Sequence, residues 1–377
     1  MILATEIDTQ TGSRLLTNSR MTCAKTCLKK HYWAYELGLR PAVDAKPLRM
    51  GRAVHRAVEF HAKGMTGDEA ILAMLAEFDA AKPVFVGPES EPDWNIERET
   101  VVRLLGGYFW RWGEMSLEHL AVEKVFEGPI NNPETGGTSR TFGVSGMIDG
   151  IVLLPDGRLA VKEVKTCSDD IADPASDYWL RLRIDQQISL YFRAAERMAA
   201  AGELPEAPQT ILYDVIRKPA IGPLLIPILD ENGIKIVADE KTGERIFKAN
   251  GEPRQSGDKE KGWVLQSRRQ TPEEYGERLT ADIGANPDFY YQRKEIPRVQ
   301  SDLDDFDLEL WQMSRMLGDC QRFARWPRNT SACIGFGKCP YFGLCTSGWK
   351  PTGEADVPQG YARLQNVHPE LSQGAKP

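Results

Sequence analysis

Several short stretches of this 377-residue chain carry side chains whose types and spacing suit work on a phosphate or a metal ion. The first runs Gly146-Met147-Ile148-Asp149-Gly150-Ile151-Val152-Leu153-Leu154, an apolar run holding one acid. Pro155-Asp156-Gly157 follows, then Arg158-Leu159-Ala160-Val161-Lys162-Glu163-Val164-Lys165-Thr166. Two β-rich runs around a Gly-containing turn read as a hairpin. Strand side chains alternate, so Leu159, Val161, Glu163 and Lys165 share one face and Lys162 points to the other. An acid and a lysine on an otherwise apolar face are costly to bury without a task. A lone Glu-x-Lys is nonetheless most often a salt bridge on a surface strand.

The hairpin register decides between these readings. A two-residue Asp156-Gly157 loop sets Asp149 opposite Val164, its carboxylate across the sheet from Glu163. A three-residue Pro155-Asp156-Gly157 loop pairs Leu154 with Arg158 and puts Asp149 opposite Glu163. Proline suits the first central position of a type I turn and glycine the left-handed position after it, so turn chemistry favours the second register.

Other candidates lie on helices. Arg181 to Ala200 reads as a helix with Gln187 and Tyr191 at i, i+4 and hence on one face, which equally suits a half-buried face with polar tips. Gly51-Arg52-Ala53-Val54-His55-Arg56-Ala57-Val58-Glu59 reads as part of another, holding His55. Of seven cysteines, Cys333, Cys339 and Cys345 are evenly spaced in a Gly-rich stretch. That spacing points to metal ligation, because thiolates bind soft metals and loops let them converge; buried thiols without metal are the alternative. Zinc would need a fourth local ligand, and His368 is far along the tail. Cys167 and Cys320 read as ordinary buried thiols.

Asp149, Glu163-x-Lys165 and Gln187-x-x-x-Tyr191, with His55 on a helix ahead of the sheet, resemble the PD-(D/E)XK nucleases. The match is to the RecB-like branch, which includes AddB-type and CRISPR-associated exonucleases. The resemblance implies a restriction-endonuclease-like α/β fold. It also implies a Mg²⁺ or Mn²⁺ ion held by His55, Asp149, Glu163 and the Val164 carbonyl. Lys165 would act on the attacking water, with Gln187 and Tyr191 orienting Lys165 or the DNA backbone. In iron–sulfur members one ligand comes from an early helix and three from a late cluster, which implies a [4Fe–4S] cluster on Cys27, Cys333, Cys339 and Cys345. Cys27-Leu28-Lys29-Lys30-His31-Tyr32 matches that early segment, departing at Leu28, where proline is usual, and at His31; Cys23, one turn earlier, competes.

The implied function is a metal-dependent DNA exonuclease acting on single strands or ends, in phage replication, recombination, repair or CRISPR-linked processing. A structure- or sequence-specific endonuclease of the same superfamily, or a non-catalytic DNA-binding partner of a helicase or recombination protein, are the alternatives. There is no G-x-x-x-x-G-K-[ST] loop, so a helicase motor would have to come from elsewhere.

The elements that must position these residues follow from patterning. Hydrophobic content of 41% and charged content of 27% are those of a globular protein. No apolar run is long enough to span a membrane, and the first residues lack the pattern of a secretory signal, so a cytoplasmic protein is expected. The net charge of −7 argues against a general nucleic-acid coat protein. The first 60 residues, however, carry ten Lys or Arg against five Asp or Glu. That local excess reads either as a DNA track or as a solvated helix face.

We expect a single domain over 1–349: a helical part at 19–120, a core at 121–217, an inserted β-ribbon at 218–270, and helices with the cysteine cluster at 271–349. The fold expected is a small mixed sheet flanked by helices. Ser19 is expected to cap a helix reaching Leu37, Thr66 and Thr271 to open capping boxes, and Ser301 to cap a late helix. The aromatics Tyr108, Phe109, Trp110 and Trp112 read as core rather than as a stacking platform. A mobile loop at 251–262 and a disordered tail at 350–377 complete the expectations.

Overall fold

The computed structural model describes residues 14–42, 46–82, 90–113, 115, 117–335, 337–353 and 356–371. The expectations for the first residues and for the last stretch of the tail, 372–377, lie outside them.

The described chain opens with β1 (Leu15–Leu16), α1 (Asn18–Thr26) and α2 (Leu28–His31), the last passing into a π-helical turn at Tyr32–Glu36. The single helix expected here is thus broken. Thr17, not Ser19, is the cap, its hydroxyl accepting from the Arg20 N–H. Cys27 takes an extended conformation (φ −167°, ψ 120°) between the two helices. Gly38 stops the segment at φ +64°.

Next come β2 (Leu39–Pro41), α3 (Lys46–Ala62), α4 (Gly67–Ala80) and α5 (Ser90–Trp112). Thr66 and Glu69 form the expected capping box at the start of α4. Amphipathic α3 buries Ala53, Val54, Ala57 and Val58 on one face. In α5 Tyr108 is buried, as expected of core, but Trp110 is 63% exposed.

The sheet strands are β3 (Glu118–Asn131), β4 (Thr138–Leu153), β5 (Leu159–Cys167) and β6 (Thr210–Arg217), with α6 (Asp177–Arg181) and α7 (Gln186–Ala200) between the last two. The helix expected from Arg181 is interrupted, because Asp185 leaves the helix and caps α7 through Gln187 N–H and Ile188 N–H.

The insertion holds β7 (Leu225–Pro227), β8 (Val237–Asp239), β9 (Trp263–Leu265) and β10 (Ser267–Arg269), paired β7 with β10 and β8 with β9. Its 251–262 stretch is organised by bridges Phe247–Pro253 and Asp258–Trp263, where a mobile loop was expected. Then follow α8 (Pro272–Ala285, with Thr271 and Glu274 in the expected capping box), α9 (Pro287–Tyr290), β11 (Tyr291–Ile296), α10 (Gln300–Phe323), α11 (Phe342–Thr346) and β12 (Tyr361–Arg363). Ser301 lies inside α10, which Val299 precedes.

The main sheet runs β1-β4-β5-β6-β11, with β3 on the other side of β4. It is mixed: β5 and β6 are parallel, whereas β4–β5, β3–β4 and β6–β11 are antiparallel. One face is covered by α1, α6, α7 and α10 around Val161, Ile188, Ala195, Tyr213 and Leu310. The other is covered by α3, α4, α5 and α8 around Val54, Leu105, Val164, Leu279 and Tyr291. This is the α/β architecture expected, with helices on both faces of one sheet. No helix among the described residues is long and apolar enough to cross a membrane.

Two further features frame the site. Strand β4 is shared along one edge: β1 pairs with it at Gly143 and Val144, and β5 only from Gly150 onward. Between them the sheet forks at Asp149. The tail after Lys350, expected to lack structure, folds back: β12 pairs with β2, His368 is 1% exposed, and the Thr17 hydroxyl donates to Glu370 Oε1 at 2.9 Å.

Candidate active site

The hairpin between β4 and β5 has the three-residue loop. Leu154 N–H donates to Arg158 O, and Gly157 N–H to Leu154 O, each at 2.9 Å. Gly157 takes φ +86°, the left-handed region in which a glycine carries no steric penalty. The ladder pairs Leu153 with Leu159 and Gly150 with Lys162, so the next step is Asp149 with Glu163. There the strands diverge, and Asp149 Oδ2 accepts the Val164 N–H at 2.8 Å in place of a ladder bond. Held there, Asp149 is near enough for its charge to act on Glu163.

Around them the remaining candidates close in. His55 Nδ1, from α3, is 3.5 Å from Asp149 Oδ2. Lys165 contacts Glu163 through its ammonium group. On α7 Gln187 Nε2 donates to the Tyr191 hydroxyl at 2.9 Å, which donates to Met147 O at 2.7 Å. That chain pins β4 two residues ahead of Asp149. His55, Asp149, Glu163, Val164, Lys165, Gln187 and Tyr191 are thus brought to one place from α3, β4, β5 and α7.

The electrostatics are those of a crowded, largely buried site. Glu163 is 1% exposed, and apart from the Lys165 ammonium on Oε1 its carboxylate oxygens have no hydrogen-bond partner. Burial, then the neighbouring Asp149, push its carboxyl up to about 7 against the pull of Lys165. Burial would raise Asp149 as well, but His55, Lys165 and the Val164 N–H outweigh it and hold the carboxyl below its ordinary value. Burial opposes charge on His55 and Lys165, yet the two acids keep both above their ordinary values.

Glu123 was not foreseen. It lies across from Asp149 on β3, where the backbone takes φ +51°, and faces a small cleft lined by His55, Glu59, His119 and Asp149. Burial, then Asp149 and Glu59, push its carboxyl up to about 8. Strand alternation gave no signal for it, because its backbone leaves the β region that alternation presumes. Lys162 does point to the opposite face from Glu163. It is 5% exposed, with its ammonium 3.7 Å from the buried Asp214 carboxylate, which also accepts from Tyr108 and Arg293.

The cysteines occupy a separate pole, where α1, α2 and the 327–349 segment meet. The Cys27 Sγ accepts from Asn329 N–H at 3.3 Å, the Cys339 N–H donates to Cys333 O at 2.8 Å, and Trp33 Nε1 donates to the Cys345 Sγ at 3.5 Å. Cys23 is buried and its thiol is pushed up to about 11 by that burial. Burial also raises the thiols of Cys339 and of Cys167 and Cys320, the last two expected to be ordinary buried thiols. Among the described residues no three His, Cys, Asp or Glu side chains already stand in the geometry of a metal site, at either the pole or the fork. The donor chemistry at the fork suits a hard divalent cation all the same: two carboxylates, one of them buried with no partner but the Lys165 ammonium, and an imidazole.

A model of the PD-(D/E)XK nuclease superfamily matches residues 16–346. The chain belongs to that superfamily, and its mixed sheet flanked by helices is consistent with the restriction-endonuclease-like fold. Membership implies a metal-dependent nuclease, a phosphodiester hydrolase acting on nucleic acid, of a group that typically uses Mg²⁺ or Mn²⁺. No curated protein matches the chain.

Proposed function

We propose that the protein is a metal-dependent DNA exonuclease acting on single strands or DNA ends, with Asp149, Glu163 and Lys165 as its catalytic centre. The observation that carries this reading is the pair of carboxylates at the fork of β4 and β5, with Lys165 on Glu163 and both Glu163 oxygens otherwise unsatisfied. Asp149, Glu163, His55 and the Val164 carbonyl would hold the cation. When bound, a divalent ion would supply activation of a water and charge relief on the phosphate.

The chain's own residues do the rest. Lys165 holds the attacking water and stabilises charge developing on the phosphate oxygens, an effect strongest in a water-poor site. His55 keeps Asp149 ionised. The Gln187–Tyr191–Met147 chain fixes the strand that presents Asp149. The preference for single strands and ends rests on the RecB-like order of the site residues.

The deciding experiment incubates end-labelled single- and double-stranded DNA, alongside a closed circle, with Mg²⁺, Mn²⁺ or chelator. Metal-dependent shortening from ends with the circle spared supports the reading. Cutting of the circle points to the endonuclease alternative, and no cutting with either metal removes the enzyme reading.

At the pole, a [4Fe–4S] cluster on Cys27, Cys333, Cys339 and Cys345 is part of the same proposal. What supports it is that Cys27, at a helix break, accepts from the Asn329 N–H of the segment leading to Cys333, while Cys23 is buried in the apolar cluster with Trp33, Tyr341 and Leu344. Anaerobically purified protein would be brown with about four irons; stoichiometric zinc without iron sinks the idea.

A further inference from the structure

The turn that leads into α7 has an inner side that is fixed and an outer side that faces solvent. Leu182–Ile184 form one turn of 3₁₀ helix between α6 and α7. On the inner side Tyr178, Trp179 and Leu182 are buried in the core. Arg298 clamps the backbone, donating to the carbonyls of Leu182 at 2.7 Å and Asp185 at 2.9 Å and to the Ser189 hydroxyl at 3.0 Å.

The outer side presents Leu180, Arg181, Arg183 and Ile184, and Ile184 is 88% exposed. Leaving an isoleucine in water forgoes the burial free energy of its side chain. Because the backbone is clamped, the side chain cannot turn inward to recover it.

The arginines are the second observation. Arginines over much of this surface are neutralised by acids: Arg56 by Glu77, Arg98 by Asp79, Arg158 by Glu295, Arg268 by Glu274. Among the described residues Arg181 and Arg183 form no ion pair. The Arg181 guanidinium rests 4.7 Å from the centre of the Tyr178 ring. The turn also borders the active site: Asp185 follows it directly, caps α7, and is followed in turn by the site residue Gln187.

We propose that this ridge docks the nucleic-acid strand that enters the active site, Arg181 and Arg183 each taking a phosphate and Ile184 packing against a base. Unpaired guanidiniums match the anionic backbone in a chain of net charge −7, and an exposed aliphatic side chain beside them suits an unstacked base or terminal pair. The inference rests on the nuclease reading for its substrate.

The test measures binding apart from cleavage. Wild type, Arg181→Ala/Arg183→Ala and Ile184→Ser are titrated, in chelator, with a fluorescent single-stranded oligonucleotide and its blunt duplex at several salt concentrations. Cleavage is then followed in Mg²⁺. All four ridge side chains are exposed, so thermal stability should stay near wild type.

We expect the double arginine variant to bind about tenfold or more weakly. Its salt dependence for single strands should be shallower by roughly 0.7 per arginine lost, and KM should rise with kcat kept. Ile184→Ser should bind about five- to tenfold more weakly with an unchanged salt slope. Wild-type affinity and slope in both variants overturn the proposal. So does a wild-type dimer that Ile184→Ser dissociates while DNA affinity holds, because the ridge is then an interface between copies. Failure of the nuclease reading appears separately, as binding without cutting in any metal.

Discussion

Glu163 is an acid held where it does not favour its charge. Its folded pKa lies above the unfolded value, so the native state binds the extra proton between about pH 4.5 and 7. Stability therefore falls as pH rises through that window, and the full penalty is present above it. Glu163→Gln should raise the melting temperature at pH 8, by an amount equivalent to about 1–3 kcal/mol, and by much less at pH 5. Added Mg²⁺ should stabilise the wild type at pH 8 and not the glutamine variant, as ligand-linked stability requires. Thermal melts at both pH values, with and without metal, check this.

Lys165→Ala should leave the fold intact and lower the cleavage rate by about 10²–10³, the size of loss typical when a group stabilising transition-state charge is removed. A variant cutting within tenfold of wild type would remove Lys165 from the chemistry. At this scale the sequence was most readable where strand alternation holds: the register between the strands carrying Asp149 and Glu163 could be read from the turn alone. Glu123 was unreadable because its backbone departs from the β region, which alternation presumes.

Elements were legible wherever a local signal overrides context. The capping boxes at Thr66 and Thr271 and the Pro155-Asp156-Gly157 loop are of this kind. Breaks imposed by tertiary structure were not, such as the stop at Cys27 and the exit at Asp185. Nor was β11, a charged strand recognisable only because β6 needed an antiparallel neighbour.

One glycine ties strand to helix. A Cβ at Gly146 would lie 2.7 Å from Phe126 Cζ and 3.5 Å from Tyr191 Cε1. The Phe126 and Tyr191 rings meet edge to face at 6.0 Å, so neither yields without disturbing the hydroxyl on Met147 O. Gly146→Ala should cost about 1–3 kcal/mol by overpacking and slow cleavage by displacing the strand that presents Asp149. Denaturant melts and rates on one DNA substrate test both parts, and an alanine variant as stable and active as wild type contradicts them.

Across the whole molecule, two regions far apart in sequence complete each other. The pole holds Trp33, Tyr35 and Leu39 from the early segment against Tyr341 and Leu344 from the late one. Beyond it β12 covers β2, and Gly38 packs so closely beneath Leu364 O that a Cβ would lie 2.6 Å away. Composition pointed to a disordered tail here because it records polarity, and not the backbone pairing of β12 or the burial of His368. Ending the chain at Gly353 should therefore lower the melting temperature and open the α1–α2 region to protease, which limited proteolysis would read directly. A truncated protein as resistant as the full one contradicts this.

The hydrogen bonds from Asn329 to Cys27 and Thr26, and from Thr17 to Glu370, span 302, 303 and 353 residues. Their consequence is one of timing. Such contacts close very large loops and form only after both partners exist, so they contribute late and slowly to folding. During synthesis α1 and α2 emerge early and wait, with Trp33 and Leu39 uncovered, until the residues that cover them leave the ribosome. The last-made stretch of the described chain thus completes the first.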